Sequence, residues 1–201
     1  MKKRIKTLAV LGVLLFGFLA FTSIDKKVIA IDAGHGGYDA GADILGIEEK
    51  TITEAVAQKI KEQNKDSNIE IVLIRDGDTS MDLRERTNII NKLKPDLVIS
   101  LHVNGNRNAI ANGVDAYISS KNKTFNEQSR EIAENLVNKI TETGNLVKRR
   151  VSEAPFHILT FAECPIVHVE MGYLSNEKDR NYITSEKGQD EIASKILEAI
   201  Q

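Results

Sequence analysis

Short apolar runs rich in Val and Ile recur along this chain, most of them followed by a stretch whose apolar residues repeat at helical spacing. KVIAID (27–32) is such a run, closed by glycines, and EKTITEAVAQKIKEQ (49–63) then places Ile52, Ala55, Val56 and Ile60 on one helical face. IEIVLI (69–74) reads as a buried strand, LRERTNIINKL (83–93) as a helix through Leu83, Ile90 and Leu93, and DLVISL (96–101) as another buried strand. VDAYIS (114–119) predicts a fourth strand, ahead of a helix that turns Ile132, Ala133, Leu136, Val137 and Ile140 toward a core. IVHVEM (166–171) and the amphipathic QDEIASKILEAI (189–200) complete the pattern. Strands of this composition alternating with helices of this length join in parallel and are covered on both sides. The expectation is a single α/β domain from residue 26 to 201, a mostly parallel twisted sheet of about six strands with helices on both faces.

The first 25 residues stand apart. Lys2, Lys3, Arg4 and Lys6 precede the apolar run Leu8–Phe21, which has the charged start and apolar middle of an export signal. The run is short for a membrane span, which takes ~20 residues, and no clean small-x-small cleavage site follows it. Both a cleaved signal peptide and a retained N-terminal membrane anchor fit residues 1–25, and either makes the protein exported, in the periplasm or cell envelope. Setting aside the four leading cations leaves 23 basic against 29 acidic residues, with no basic stripe, so a nucleic-acid partner is not expected. The single cysteine, Cys164, excludes an intramolecular disulfide and a paired-thiolate zinc site. Any metal must therefore be held by histidines and carboxylates.

In an open α/β sheet, ligands bind beyond the carboxyl ends of the strands. DAGHGG follows the first strand, HVNGN the third, and EMGYLSN the late one, which brings His35, His102 and Glu170 to one rim, with Glu49 opening the first helix nearby. The four lie 14, 53 and 68 residues apart in sequence. A catalytic zinc commonly takes two His and a carboxylate and keeps an open position for water, whose pKa falls toward ~7. His35, Glu49 and His102 can supply that set for one Zn2+ per chain. Glu170 then suits a general base that later acts as acid, and Asp32 an acceptor for an imidazole N–H. Each also has a plainer reading: His35 as a turn residue, Glu49 as an acid favoured in a helix's first turn, Glu170 as a strand carboxylate needing a partner. A dinucleotide site is rejected, because GHGGYD lacks the third glycine of that motif.

The segments VIAIDAGHGGYDAGA, GIEEKTITEAVAQKI, RERTNIINKLKPDLVISLHVN and CPIVHVEMGYLSNEKD, in this order, resemble the zinc-dependent N-acetylmuramoyl-L-alanine amidases, over essentially all of residues 27–201. The resemblance implies a fold of the zinc-exopeptidase/phosphorylase-like kind and hydrolysis of the amide joining N-acetylmuramic acid to the L-alanine of the peptidoglycan stem peptide. It implies His35, Glu49 and His102 as zinc ligands, Glu49 being chosen over Glu48 because the family's ligand directly precedes the Lys, here Lys50, and Glu170 as the catalytic carboxylate. Peptidoglycan is the implied partner, with residues 8–21 as a membrane tether if the anchor is retained. Some members carry a helical plug between the fourth strand and the next helix. The connection here, SSKNKTFNE (119–127), is too short for one, so no activator protein is expected to be required.

Other positions are less constrained. His168 stands where the family usually has an aliphatic residue and shares a strand face with Glu170, so it either hydrogen-bonds that carboxylate or is a satisfied interior histidine. Arg75 and Arg86 can contact an anionic stem peptide or pair locally with Asp76 or Glu85. Asn104 can position substrate or cap a turn. A zinc exopeptidase and a non-catalytic wall-binding homologue are the competing functions; release of a free amino acid would mark the first, and a degenerate site the second.

Overall fold

The computed structural model describes residues 26–201, so the export reading of residues 1–25 lies outside the described residues. In chain order the elements are β1 (Lys27–Ala33), β2 (Asp43–Ile44), β3 (Ile47–Glu48), α1 (Glu49–Gln63), β4 (Ile69–Leu73), α2 (Leu83–Leu93) and β5 (Leu97–Asn104). There follow β6 (Val114–Ser119), α3 (Asn126–Thr141), β7 (Lys148–Ala154), α4 (His157–Phe161), β8 (Ile166–Tyr173), α5 (Glu177–Ile183) and α6 (Glu186–Ile200). Six strands form one sheet in the order β4-β1-β5-β8-β6-β7, while β2 and β3 make a small separate hairpin. Every pairing in the large sheet is parallel except β6 against β8. The mostly parallel α/β domain expected from the periodicity is therefore the fold observed.

Strand alternation divides the interior in two. Ile29, Ile31, Leu97, Ile99, Leu101, Val167 and Val169 belong to the larger core, built with α1, α3 and α6. Ala30, Val98 and Ile166 face the smaller core, with Ile90 of α2 and Ile158 and Leu159 of α4. The positions that follow on this second face, toward the carboxyl ends of the strands, carry a polar row. Asp32 pairs with Ser100 and Ser100 with His168 across neighbouring strands, and His102 pairs with Glu170 one register step toward the strand ends. Because α2 and the five-residue α4 cover this face incompletely, a cleft of about 540 Å³ opens over Asp32, His35 and His102.

Several local expectations are corrected. β7 is not marked by the apolar pattern: KRRVSEA is an edge strand, mostly exposed, and a charged edge shows no apolar alternation. In α1, Thr53 and Ala57 rather than Ala55 join Ile52, Val56 and Ile60 in the interior. Leu83 does not enter the core; it is 55% exposed and borders the cleft. Cys164 is the small buried thiol expected, pushed up to about 11 by burial with Glu163 adding to the shift. Among the described residues, no helix is long and apolar enough to cross a membrane.

Candidate metal and catalytic site

The DAGHGG turn places the first histidine. His35 has φ 62° and is followed by Gly36 at φ 127° and Gly37 at φ 61°, so the chain leaves β1 through three left-handed residues. Arg86 of α2 ties this turn to the sheet. Its guanidinium donates to Asp32 Oδ1 at 2.6 Å, to the Ala33 carbonyl at 2.7 Å and to the His35 carbonyl. Lys50 clamps the other side, donating to the Gly37 carbonyl at 2.7 Å and pairing with Asp78, which itself accepts from Gly37 N–H.

Glu49 is the hub. Its Oε1 lies 3.2 Å from His35 Nε2 and 3.0 Å from His102 Nδ1 and accepts from Val103 N–H at 2.9 Å; Oε2 accepts from Ala42 N–H at 2.9 Å. Neighbouring Glu48 instead stands 3.5 Å from Lys50 Nζ. One donor atom from each of His35, Glu49 and His102 lies within 4.8 Å of the others. Donors about 2.0–2.1 Å from a tetrahedral zinc stand about 3.3 Å apart, close to the observed carboxylate–imidazole spacings. Two glycines keep the space clear. A Cβ on Gly34 would come within 2.4 Å of the His102 ring, and one on Gly41 within 2.5 Å of Glu49 Oε2 and 2.6 Å of His35 Cδ2. The donor set, its spacing and this glycine cradle fit a divalent transition metal.

The charges follow from the packing. Burial opposes charge on Glu49, but hydrogen bonds from the two imidazoles overcome it and hold the carboxyl well below the usual range. Burial likewise opposes the proton on His35, yet Glu49 and then Asp39 raise it to about 9. Asp39 Oδ2 lies 2.9 Å from His35 Nδ1, so Nδ1–H donates outward and Nε2 faces Glu49.

Asp39, not Asp32, thus orients the imidazole. The Asp32 carboxylate is occupied by Arg86 and by Ser100 Oγ, which donates at 2.7 Å, so it does not accept from a histidine N–H as expected. In the sequence Asp39 is legible only as a loop acid four residues beyond His35. Arg75 and Arg86 do pair with carboxylates, but with distant ones: Arg75, 1% exposed, donates to Glu54 at 3.0 Å and to the carbonyls of Ala33 and Gly77, while Arg86 takes Asp32. Asp76 accepts from Gln58 instead. Asn104 holds the end of β5 through its carbonyl, which accepts from Leu174 N–H.

Glu170 lies across from His102 on β8 and from Asp115 on β6. Its Oε1 is 3.0 Å from His168 Nε2, while Oε2 is buried with no hydrogen-bond partner. Asp115, 1% exposed, accepts from Arg149 at 2.8 Å and from the Tyr173 hydroxyl at 3.0 Å through Oδ2, while its Oδ1 makes no hydrogen bond and lies 3.8 Å from Arg150 Nε. The β6–α3 connection, where a plug would be inserted, opens beyond Ser119. The antiparallel register puts it at the opposite end of β8 from Glu170.

The family model described as N-acetylmuramoyl-L-alanine amidase (Amidase_3) matches residues 29–201. The protein YqiI of Bacillus subtilis is 32% identical over 177 residues, 88% of this chain and 84% of that protein. The crystal structure of an N-acetylmuramoyl-L-alanine amidase from Clostridium difficile 630 is similar at a TM-score of 0.82 and 27% identity, covering 88% of this chain and 95% of that one. The CwlD amidase from Clostridioides difficile, solved in complex with the GerS lipoprotein, is similar at a TM-score of 0.80 and 27% identity, over 88% of this chain and 97% of that one. With its fold, its His–Glu–His cluster and this match, the chain belongs to the N-acetylmuramoyl-L-alanine amidase family and is a peptidoglycan amidase.

Proposed function

We propose that His35, Glu49 and His102 hold one zinc ion and that Glu170 moves the protons as the amide between N-acetylmuramic acid and L-alanine is hydrolysed. The observation that carries this reading is the convergence of His35 Nε2 and His102 Nδ1 on Glu49 Oε1, with Glu170 in register with His102 on the next strand. Two imidazoles and a carboxylate favour zinc over hard cations such as Mg2+ or Ca2+, which prefer all-oxygen sites. When bound, the ion supplies an activated water and polarises the scissile carbonyl.

The protein's own groups supply the rest. Asp39 keeps the His35 tautomer with Nε2 available, and the backbone N–H groups of Ala42 and Val103 fix the orientation of the Glu49 carboxylate. Glu170, with one oxygen hydrogen-bonded and the other without a partner, has a lone pair to take a proton from water and return it to the departing alanine nitrogen. The cleft beside His35 is walled by Met81, Leu83 and Ile158, which can receive the apolar part of a stem peptide.

Two further readings accompany the first. The N-terminal cations and apolar run, together with a substrate outside the cytoplasm, support export to the envelope, with residues 26–201 as the working domain. The shortness of the β6–α3 connection, from Ser119 to Asn126, supports a site that works without an accessory protein. The decisive experiment is mass spectrometry of peptidoglycan fragments after digestion by the purified protein, with zinc, with a chelator, and after zinc is restored. Muropeptides lacking the stem, formed only in the zinc-containing samples, are the expected result; free amino acids released from the peptide end, or cleavage indifferent to chelation, would refute the reading.

A further inference from the structure

We propose that His168 is a positioning residue that fixes the side chain of Glu170 for proton transfer, a role that rests on the function of Glu170 proposed above. His168 is 7% exposed and sits two residues before Glu170 on the same face of β8. A buried imidazole needs a hydrogen-bond partner, and the Nε2 of this one lies 3.0 Å from Glu170 Oε1. With Nε2–H donating, one oxygen of Glu170 is tethered, while Oε2 makes no hydrogen bond.

The imidazole is itself held on several sides. It stacks on the His102 ring at 4.1 Å between centroids and 19° between planes, meets Phe156 at 4.9 Å and stands edge-on to Tyr117 at 5.9 Å. These contacts oppose rotation of the ring, so its N–H is aimed before substrate arrives. His168 thereby links Glu170, through its hydrogen bond, to the His102 ring on which it stacks. Small displacements of a proton-transfer group are expensive in rate, which gives such a tether its value.

The test compares His168→Leu, His168→Gln and Glu170→Ala in the zinc-loaded protein on a soluble N-acetylmuramoyl peptide. Leu removes the donor, whereas the amide nitrogen of Gln can reach a similar point and donate. His168→Leu is expected to lower kcat about tenfold or more with KM little changed, and His168→Gln to recover most of the loss. Zinc content and affinity, read by competition with a chelating dye, should stay close to the parent in both. Should His168→Leu not fold, judged by thermal unfolding, His168→Met against His168→Gln makes the same contrast. Unimpaired kcat in the apolar variants, or equal loss in Gln and Leu, would overturn the proposal. An inactive Glu170→Ala beside an unimpaired His168→Leu sinks the positioning role alone, while an active Glu170→Ala sinks the role of Glu170 and this inference with it.

Discussion

The two sides of the cleft follow opposite rules. On the β1–α1–β5 side, Glu49 accepts from two backbone N–H groups and faces two imidazoles, His35 has Asp39 behind it, and Arg86 and Lys50 hold the turn. On the β8–β6 side, Glu170 Oε2 and Asp115 Oδ1 are buried without hydrogen bonds. A buried acceptor left unpaired costs about 1–3 kcal/mol, so such groups call for an explanation. The contrast separates holding from reacting. Under the proposed function, the first side would exchange internal hydrogen bonds for a cation, and on the second Glu170 would keep a lone pair in reserve for the proton that moves.

This division can be broken from either side. The largest effect belongs to Glu170→Ala, which should lower kcat by about 10²–10⁴-fold while leaving metal content at one ion per chain, as read by elemental analysis of the purified variant. Gly34→Ala attacks the holding side, because the new methyl would overlap the His102 ring. Metal affinity should fall about 100-fold or more in a competition titration, with about 1–3 kcal/mol lost from denaturant unfolding. Asp39→Asn should be milder, weakening metal affinity about tenfold by loosening the His35 tautomer, with kcat at saturating zinc near that of the parent.

The remaining effects are those of pH. Since His35 in the metal-free protein holds its proton up to about 9, zinc must displace that proton. Apparent affinity should therefore tighten as pH rises toward 9, by about tenfold per unit for one proton released, and a proton-release measurement in weak buffer checks it. Stability of the metal-free protein runs the other way. The folded-state pKa of His35 lies above its ordinary value of 6.5, so the stabilisation is complete below 6.5 and is lost as pH rises through about 9. Glu49, held below its ordinary value, stabilises above the usual carboxylate range and loses that contribution on acidification. Metal-free thermal midpoints that climb steadily from pH 6.5 to 9 would contradict the assigned His35–Glu49–Asp39 coupling.

Much of this architecture is legible in the amino-acid order alone. The limits of α1, α2 and β6 coincide with the segments 49–63, 83–93 and 114–119 marked by apolar spacing, because that spacing records which faces are buried. α4 and α5, of five and seven residues, are too short to show a period, and β7 lies at a charged edge. At the site, the strand-end rule collects His35, Glu49 and His102. It does not single out Asp39, and it gives Asp32 the wrong partner, for one reason: what a carboxylate at the end of β1 binds depends on where α2, whose Arg86 lies 54 residues beyond Asp32, delivers its guanidinium.

Local pattern was enough to specify a parallel α/β sheet, its main strands and helices, and the residue types able to hold a metal, since burial periodicity and glycine-rich turns act over a few residues at a time. Which groups touch came from sheet order. Placing β5 between β1 and β8 sets His102 beside both Glu49 and Glu170, and the antiparallel β6 brings Asp115 to the far side of Glu170. Those contacts join segments 53 to 68 residues apart, and no short stretch of chain encodes them, because they form only when the whole sheet has closed its hydrogen bonds.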